Sequence, residues 1–159
     1  QAGLARQAIL SVLLQGLLRR RADKTFDDYV EASETRSQDA LEKMAAAWTE
    51  RDADSPPSLK LAAYADVYTD PWYGEVEIRE DGTGLRFESR VSPRLVGRIR
   101  HFQHDTFVVE WDDRTMMADA YLRFEVGIDG SVERLEMKGF DPRIDFSYDF
   151  HHLDLRPEK

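Results

Sequence analysis

The residues with the widest chemical reach are four histidines, His101, His104, His151 and His152, each a few positions from Asp105, Asp149 or Asp154. Imidazole beside carboxylate can ligate zinc or carry a proton. A zinc site would need distant members such as His101 and His152 to converge with a carboxylate, because the spacings match no established ligand motif. His151 and His152 are placed in the last strand, where neighbours face opposite sides of a sheet, so the two are not expected to share one ion. No metal ligand set is assigned and no cofactor is expected. His101 with Asp105 as an acid–base pair lacks a nucleophile or a marked pocket beside it. The chain contains no cysteine, which removes disulfides, thiolate ligands and thiol nucleophiles.

The second chemical resource is aromatic. Phe87, Phe107, Trp111, Phe124 and Tyr148 are expected to share one inward face. They either fill that interior or line a cavity for a small molecule. Filling is the simpler reading, since an eight-stranded barrel is just wide enough inside for side chains to close it. Trp72 and Tyr73 are expected at a turn near the barrel mouth.

These residues must be positioned by helices first and strands after. From Leu4 to Leu18, both the Ile9, Val12, Leu13, Leu17 row and the Leu10, Leu14, Leu18 row are apolar, so a helix here has two faces that want burial. About 15 residues at roughly 1.5 Å each fall well short of a hydrocarbon core about 30 Å thick, so no membrane insertion is expected. Ile9, Leu13 and Leu17 are assigned to a contact with another domain or another copy of the chain. A second helix is expected from Phe26 to Arg51, capped by Thr25, with Asp27 and Asp28 at its positive end. Its late apolar stripe is Ala40, Leu41, Met44, Ala47 and Trp48; Glu31 to Asp39 is polar all round. Pro56 and Pro57 mark residues 52–58 as a linker. The division expected is a helical segment 1–51, the linker, and a β-barrel over 59–159.

From Tyr64 the apolar period changes to two. Tyr64 to Asp70 reads as the first strand. Val76 and Ile78 form a hairpin with Leu85 and Phe87 across Asp81-Gly82. Then come Leu95, Gly97 and Ile99; Phe107, Val109 and Trp111; and Ala120, Leu122, Phe124, Val126 and Ile128, before a turn at Asp129-Gly130. Val132 is out of phase with Leu135 and Met137, and Phe146, Tyr148 and Phe150 are out of phase with Leu153 and Leu155; each break marks a bulge or bend. About eight short strands at this spacing indicate a mainly β fold with N-terminal helices, an antiparallel up-and-down barrel preceded by two helices, with a sandwich as the close alternative.

A net charge of -9 excludes a nucleic-acid footprint, for which Lys and Arg must cluster.

Several of these segments together, LAAYADVYTDPWYGEVEI, Leu85-x-Phe87, RHFQHDTFVVEW and YLRFEV, resemble the C-terminal accessory domain of serine hydrolases related to class C β-lactamases and penicillin-binding proteins, of the peptidase S12 type. The matching positions are Tyr64 and Tyr68, Tyr73-Gly74, His101 to Phe107 ending at Trp111, and Phe124 followed by Gly130. The resemblance implies a lipocalin-like barrel and an extracytoplasmic location. It also implies that residues 1–51 are the end of a catalytic domain with its connector, Asp23 to Tyr29. The catalytic motifs of those hydrolases are missing. No serine has lysine three places on, no Lys-Thr-Gly or His-x-Gly triplet occurs, and there is no asparagine. The chain is therefore expected to be noncatalytic and to act through its own catalytic domain or another copy. A lipocalin-like small-molecule module is the alternative, and an independent enzyme with helices before a curved sheet is the third reading, which would need a strongly perturbed acid or base in a pocket.

Overall fold

The computed structural model describes residues 2–17, 25–145 and 147–158. The chain divides into two compact units, Gln1–Lys43 and Met44–Lys159.

The first unit holds α1 (Ala2–Leu17) and most of α2 (Phe26–Glu50). A reciprocal capping box starts α2. The Asp28 amide donates to Thr25 Oγ1 at 3.3 Å, and the Thr25 amide donates back to Asp28 Oδ2 at 2.6 Å. Asp27 and Asp28 stand in the first turn, where carboxylates meet the positive end of the helix dipole. The helix runs unbroken through the polar stretch 31–39. Ala40 is buried, as its stripe predicts, but Leu41 is exposed, because it lies at the edge of the stripe. On α1, Ile9, Leu10, Val12, Leu13, Leu14 and Leu17 are all exposed, Leu13 at 58% and Leu17 at 78%. Leu18 and the first residues of the expected connector lie outside the described residues, and from Phe26 that connector is already helix. Among the described residues, no helix is long and apolar enough to cross a membrane.

The second unit is an eight-stranded antiparallel sheet curled into a nearly closed barrel. Its strands are β1 (Asp66–Asp70), β2 (Gly74–Glu80), β3 (Leu85–Ser89), β4 (Val96–Gln103), β5 (Thr106–Trp111), β6 (Ala120–Val126), β7 (Val132–Gly139) and β8 (Arg156–Pro157). Neighbours in sequence are neighbours in the sheet from β7 back to β1, and β8 returns to pair with the far side of β1. A bridge between Leu135 of β7 and Leu155 brings the two edges together.

Alternation explains the strands. Val76 and Ile78, Leu85 and Phe87, Phe107, Val109 and Trp111, and Leu122 and Phe124 are all buried, while the polar residues between them are not. Each such side chain contributes roughly 1.5–3 kcal/mol relative to exposure. Asp81 and Asp129 shape the tight turns, their carboxylates accepting the amides of Thr83 and Ser131, with Gly82 and Gly130 at positive φ. Gly97 of β4 lies in register between Phe87 and Trp111, whose rings meet edge to face at 5.1 Å. A Cβ there would stand 2.4 Å from the Glu110 carbonyl oxygen, so only glycine lets the strands approach this closely.

The phase break at Val132 is a bulge. Glu125 pairs with Arg134 while Val126 pairs with Val132, leaving Glu133 unpaired. A second register shift falls between His101 and Gln103, and Phe102 keeps the outward phase of Arg98 and Arg100. There Phe102, Val108 and Phe140 form a small outer core covered by Met44, Ala47 and Trp48 from the last turns of α2. Trp48 meets Phe102 edge-on at 5.2 Å, and the Arg100 guanidinium sits 4.3 Å from its ring centre.

Three strand boundaries differ from the alternation. Tyr64 ends a 3-10 turn (Leu61–Tyr64), and β1 starts only at Asp66. Ile128 is not in β6 but fully exposed in the β6–β7 turn, where Gly127 and Gly130 close the hairpin through Gly130 N–H to Gly127 O. Of the run expected from Phe146 to Phe150, Phe146 lies outside the described residues, and residues 147–150 are not a strand. Asp141 and Asp145 accept the amides of Arg143 and Ser147, and such side-chain turns compete with the ladder; Phe150–His152 is a 3-10 turn.

Candidate functional site

The two ends of the barrel are built differently. At one end the turns are short, and the 3-10 turn Leu61–Tyr64 lies across the opening. Tyr64 is fully buried, its ring 5.1 Å from Phe107 and 4.9 Å from Phe124. Its hydroxyl donates to Asp105 in the β4–β5 turn and accepts from the Leu59 amide at 3.0 Å. Asp105 also accepts from the Ser58 amide at 2.8 Å and the Ser58 hydroxyl at 2.7 Å. Burial first, and the Asp105 hydrogen bond second, push the Tyr64 phenol up to about 12. Burial works to raise the Asp105 pKa, but donation from Tyr64 and Ser58 outweighs it and holds the carboxyl below its ordinary value. Tyr68 donates to the Tyr64 carbonyl at 2.8 Å, and its phenol is raised by burial foremost. This network ties Ser58, Leu59 and Tyr64 to the β4–β5 turn.

At the other end the loops are longer and a cavity of about 420 Å³ opens among them. Leu95, Met116, Phe150 and Leu153 are its buried apolar lining; Tyr73 and Tyr148 are partly buried beside them. Trp72 and Val91 stand exposed at the rim, Trp72 at 80%. Asp70 fixes the β1–β2 turn that carries Trp72, accepting the amides of Trp72 at 2.8 Å, Tyr73 at 2.7 Å and Asp154 at 2.8 Å. Burial opposes the Asp70 charge, yet those three donors hold its pKa below the ordinary value. Tyr73 donates to Ser89 at 3.1 Å, and Arg94 at the rim is committed to Asp113 at 2.6 Å. An apolar concavity with few polar groups, of this size, suits a small apolar ligand or a partner's side chain.

Four of the five aromatic residues singled out by alternation, Phe87, Phe107, Trp111 and Phe124, are packed in the barrel core. Phe107 meets Phe124 at 5.5 Å, and the Trp111 indole donates to the Ala118 carbonyl at 2.7 Å. Tyr148 is not among them: it stands at the mouth, 5.8 Å from Phe150. Ile9, Leu13 and Leu17 are exposed on α1. Leu95, Met116 and Leu153 were not singled out as site residues, since each reads as ordinary core until the loops that carry them are placed.

His101 stands near the end of β4 and His104 in the β4–β5 turn, His101 Nε2 lying 2.8 Å from the His104 carbonyl oxygen. They do not gather with His152. His151 and His152, expected to diverge in a strand, instead share the 3-10 turn with their rings 4.1 Å apart, beside Asp149 at the mouth. Helical backbone, not strand alternation, sets their directions.

No curated protein matches the chain. Among solved structures, the C-terminal domain of penicillin binding protein Rv0907 is similar at 17% identity, covering 69% of this chain and 94% of that one, with a TM-score of 0.49. Residues 50–157 match the Domain of unknown function (DUF3471), which is more than half of the chain, and the protein belongs to that family.

Proposed function

We propose that this chain is a noncatalytic accessory domain of a β-lactamase-like serine hydrolase of the peptidase S12 type, acting through contacts with the catalytic domain or with another copy of the chain. In this reading residues 1–51 are the end of the catalytic domain and its connector, 52–58 the linker and 59–159 a lipocalin-like accessory barrel, in an extracytoplasmic protein. The observation that carries it is α1, on which Ile9, Leu10, Leu13, Leu14 and Leu17 all face water. Contiguous exposed apolar surface of this kind marks an interaction site. Membership of the family over residues 50–157 and the sequence motifs shared with hydrolase accessory domains support the reading, as does the lack of the Ser-x-x-Lys nucleophile. Light scattering on the purified chain tests it: the native chain should self-associate and a Leu13→Glu, Leu17→Glu variant should be monomeric. A native chain that stays monomeric at high concentration with α1 helical would overturn the contact between copies.

The cavity beside Trp72 favours a second reading, a small-molecule module that binds at the mouth rather than inside the barrel. An environment-sensitive apolar dye should then bind in one-to-one stoichiometry and lose its site on Trp72→Ala. Binding that is unchanged in that variant excludes the mouth.

A further inference from the structure

We propose that Asp149, His151 and His152 bind one zinc-class divalent cation at the rim of the barrel mouth. Each residue offers one ligand atom, and these atoms lie within 4.8 Å of one another. The carboxylate is divided between the rings, Oδ1 at 3.0 Å from His151 Nδ1 and Oδ2 at 3.3 Å from His152 Nε2. A tetrahedral ion with bonds of about 2.0–2.2 Å holds its ligand atoms about 3.3–3.6 Å apart, so small rotations of exposed side chains would complete the set.

The turn that carries the ligands is held at both ends. The His152 amide donates to the Asp149 carbonyl at 3.2 Å, and the Leu153 amide to the Phe150 carbonyl at 3.2 Å. Phe150 and Leu153 are buried, Phe150 against Trp111 at 6.1 Å, so the backbone between them is tied to the core. Three protein ligands with the histidines largely open to solvent leave a position for water or an incoming group. Two imidazoles and one carboxylate favour zinc, nickel or copper over magnesium or calcium, which prefer all-oxygen sets. This inference is independent of the accessory role and stands or falls on its own measurement.

The test is calorimetric titration of the tag-free full chain with zinc chloride, read alongside histidine ring signals by NMR. Expected are one-to-one binding, perturbation of His151 and His152 only, and no comparable binding of magnesium. His151→Gln and His152→Gln should each weaken zinc by more than the roughly 10- to 100-fold typical of losing a supporting residue. His101→Gln should bind like the native chain. Both exposed histidines can be replaced without touching the core, and circular dichroism of each variant verifies folding. No saturation below about 1 mM zinc, undiminished binding in either variant, or a response centred on His101 and His104 would overturn the proposal.

Discussion

The barrel and α1 handle the same kind of residue in opposite ways. Tyr64, Phe87, Phe107, Trp111, Leu122 and Leu135 are sealed inside the barrel, each nearly inaccessible to water. On α1, residues of equal hydrophobicity are mostly about half exposed or more. A 16-residue helix is marginal in water without packing. The barrel buries its apolar side chains within itself, whereas α1 leaves its own exposed, the surface that the proposed role assigns to a partner. On the proposed role, stability then resides in the strands and assembly in the helix.

The sharpest way to break the comparison is to empty the barrel. Trp111→Ala should destabilise the chain by about 3–5 kcal/mol in urea unfolding, because the indole touches Phe87 and Phe150 and donates to Ala118. A loss under about 1 kcal/mol would mean the interior is loosely filled. Asp105→Ala should cost about 1–3 kcal/mol by leaving the buried Tyr64 hydroxyl and the Ser58 amide without their acceptor.

Acid should act on the barrel in the same direction. Asp70 and Asp105 have folded pKa values below the ordinary 3.8, so ionised carboxylates favour the folded state. Their contribution is complete above that ordinary value and is lost as pH falls through the depressed folded values. Urea midpoints measured from pH 6 downward should therefore fall in acid, and less steeply in Asp105→Ala. The smallest effect on stability is expected from Leu13→Glu on α1, within about 0.5 kcal/mol for barrel unfolding, although it should abolish association.

Much of the barrel was legible in the sequence because one face of each strand is buried, which stamps a period of two on it. The Val132 break could be read as a bulge for the same reason. Over residues 147–150 the aromatics alternate as in a strand, but the turn chemistry of Asp141 and Asp145 decides the backbone. Reading a strand there also hid the convergence of His151 and His152, since a strand would have parted them. Ile128 was drawn into β6 by its apolar character, though Asp129-Gly130 ends the strand earlier. The mouth was only partly legible: Trp72 and Tyr73 were placed near it, but Leu95, Met116 and Leu153 come from separate loops whose meeting depends on barrel closure. The two apolar faces of α1 are legible in the sequence, and residues of both rows stand exposed.

Amide hydrogen exchange on the native chain across a range of concentrations tests the central claim most directly. Amides of β5 and β6 should be protected at every concentration, while protection of α1 should rise as the chain associates. If α1 is equally protected in a dilute monomer, or unprotected at every concentration, the division between a self-sufficient barrel and a partner-dependent helix is wrong.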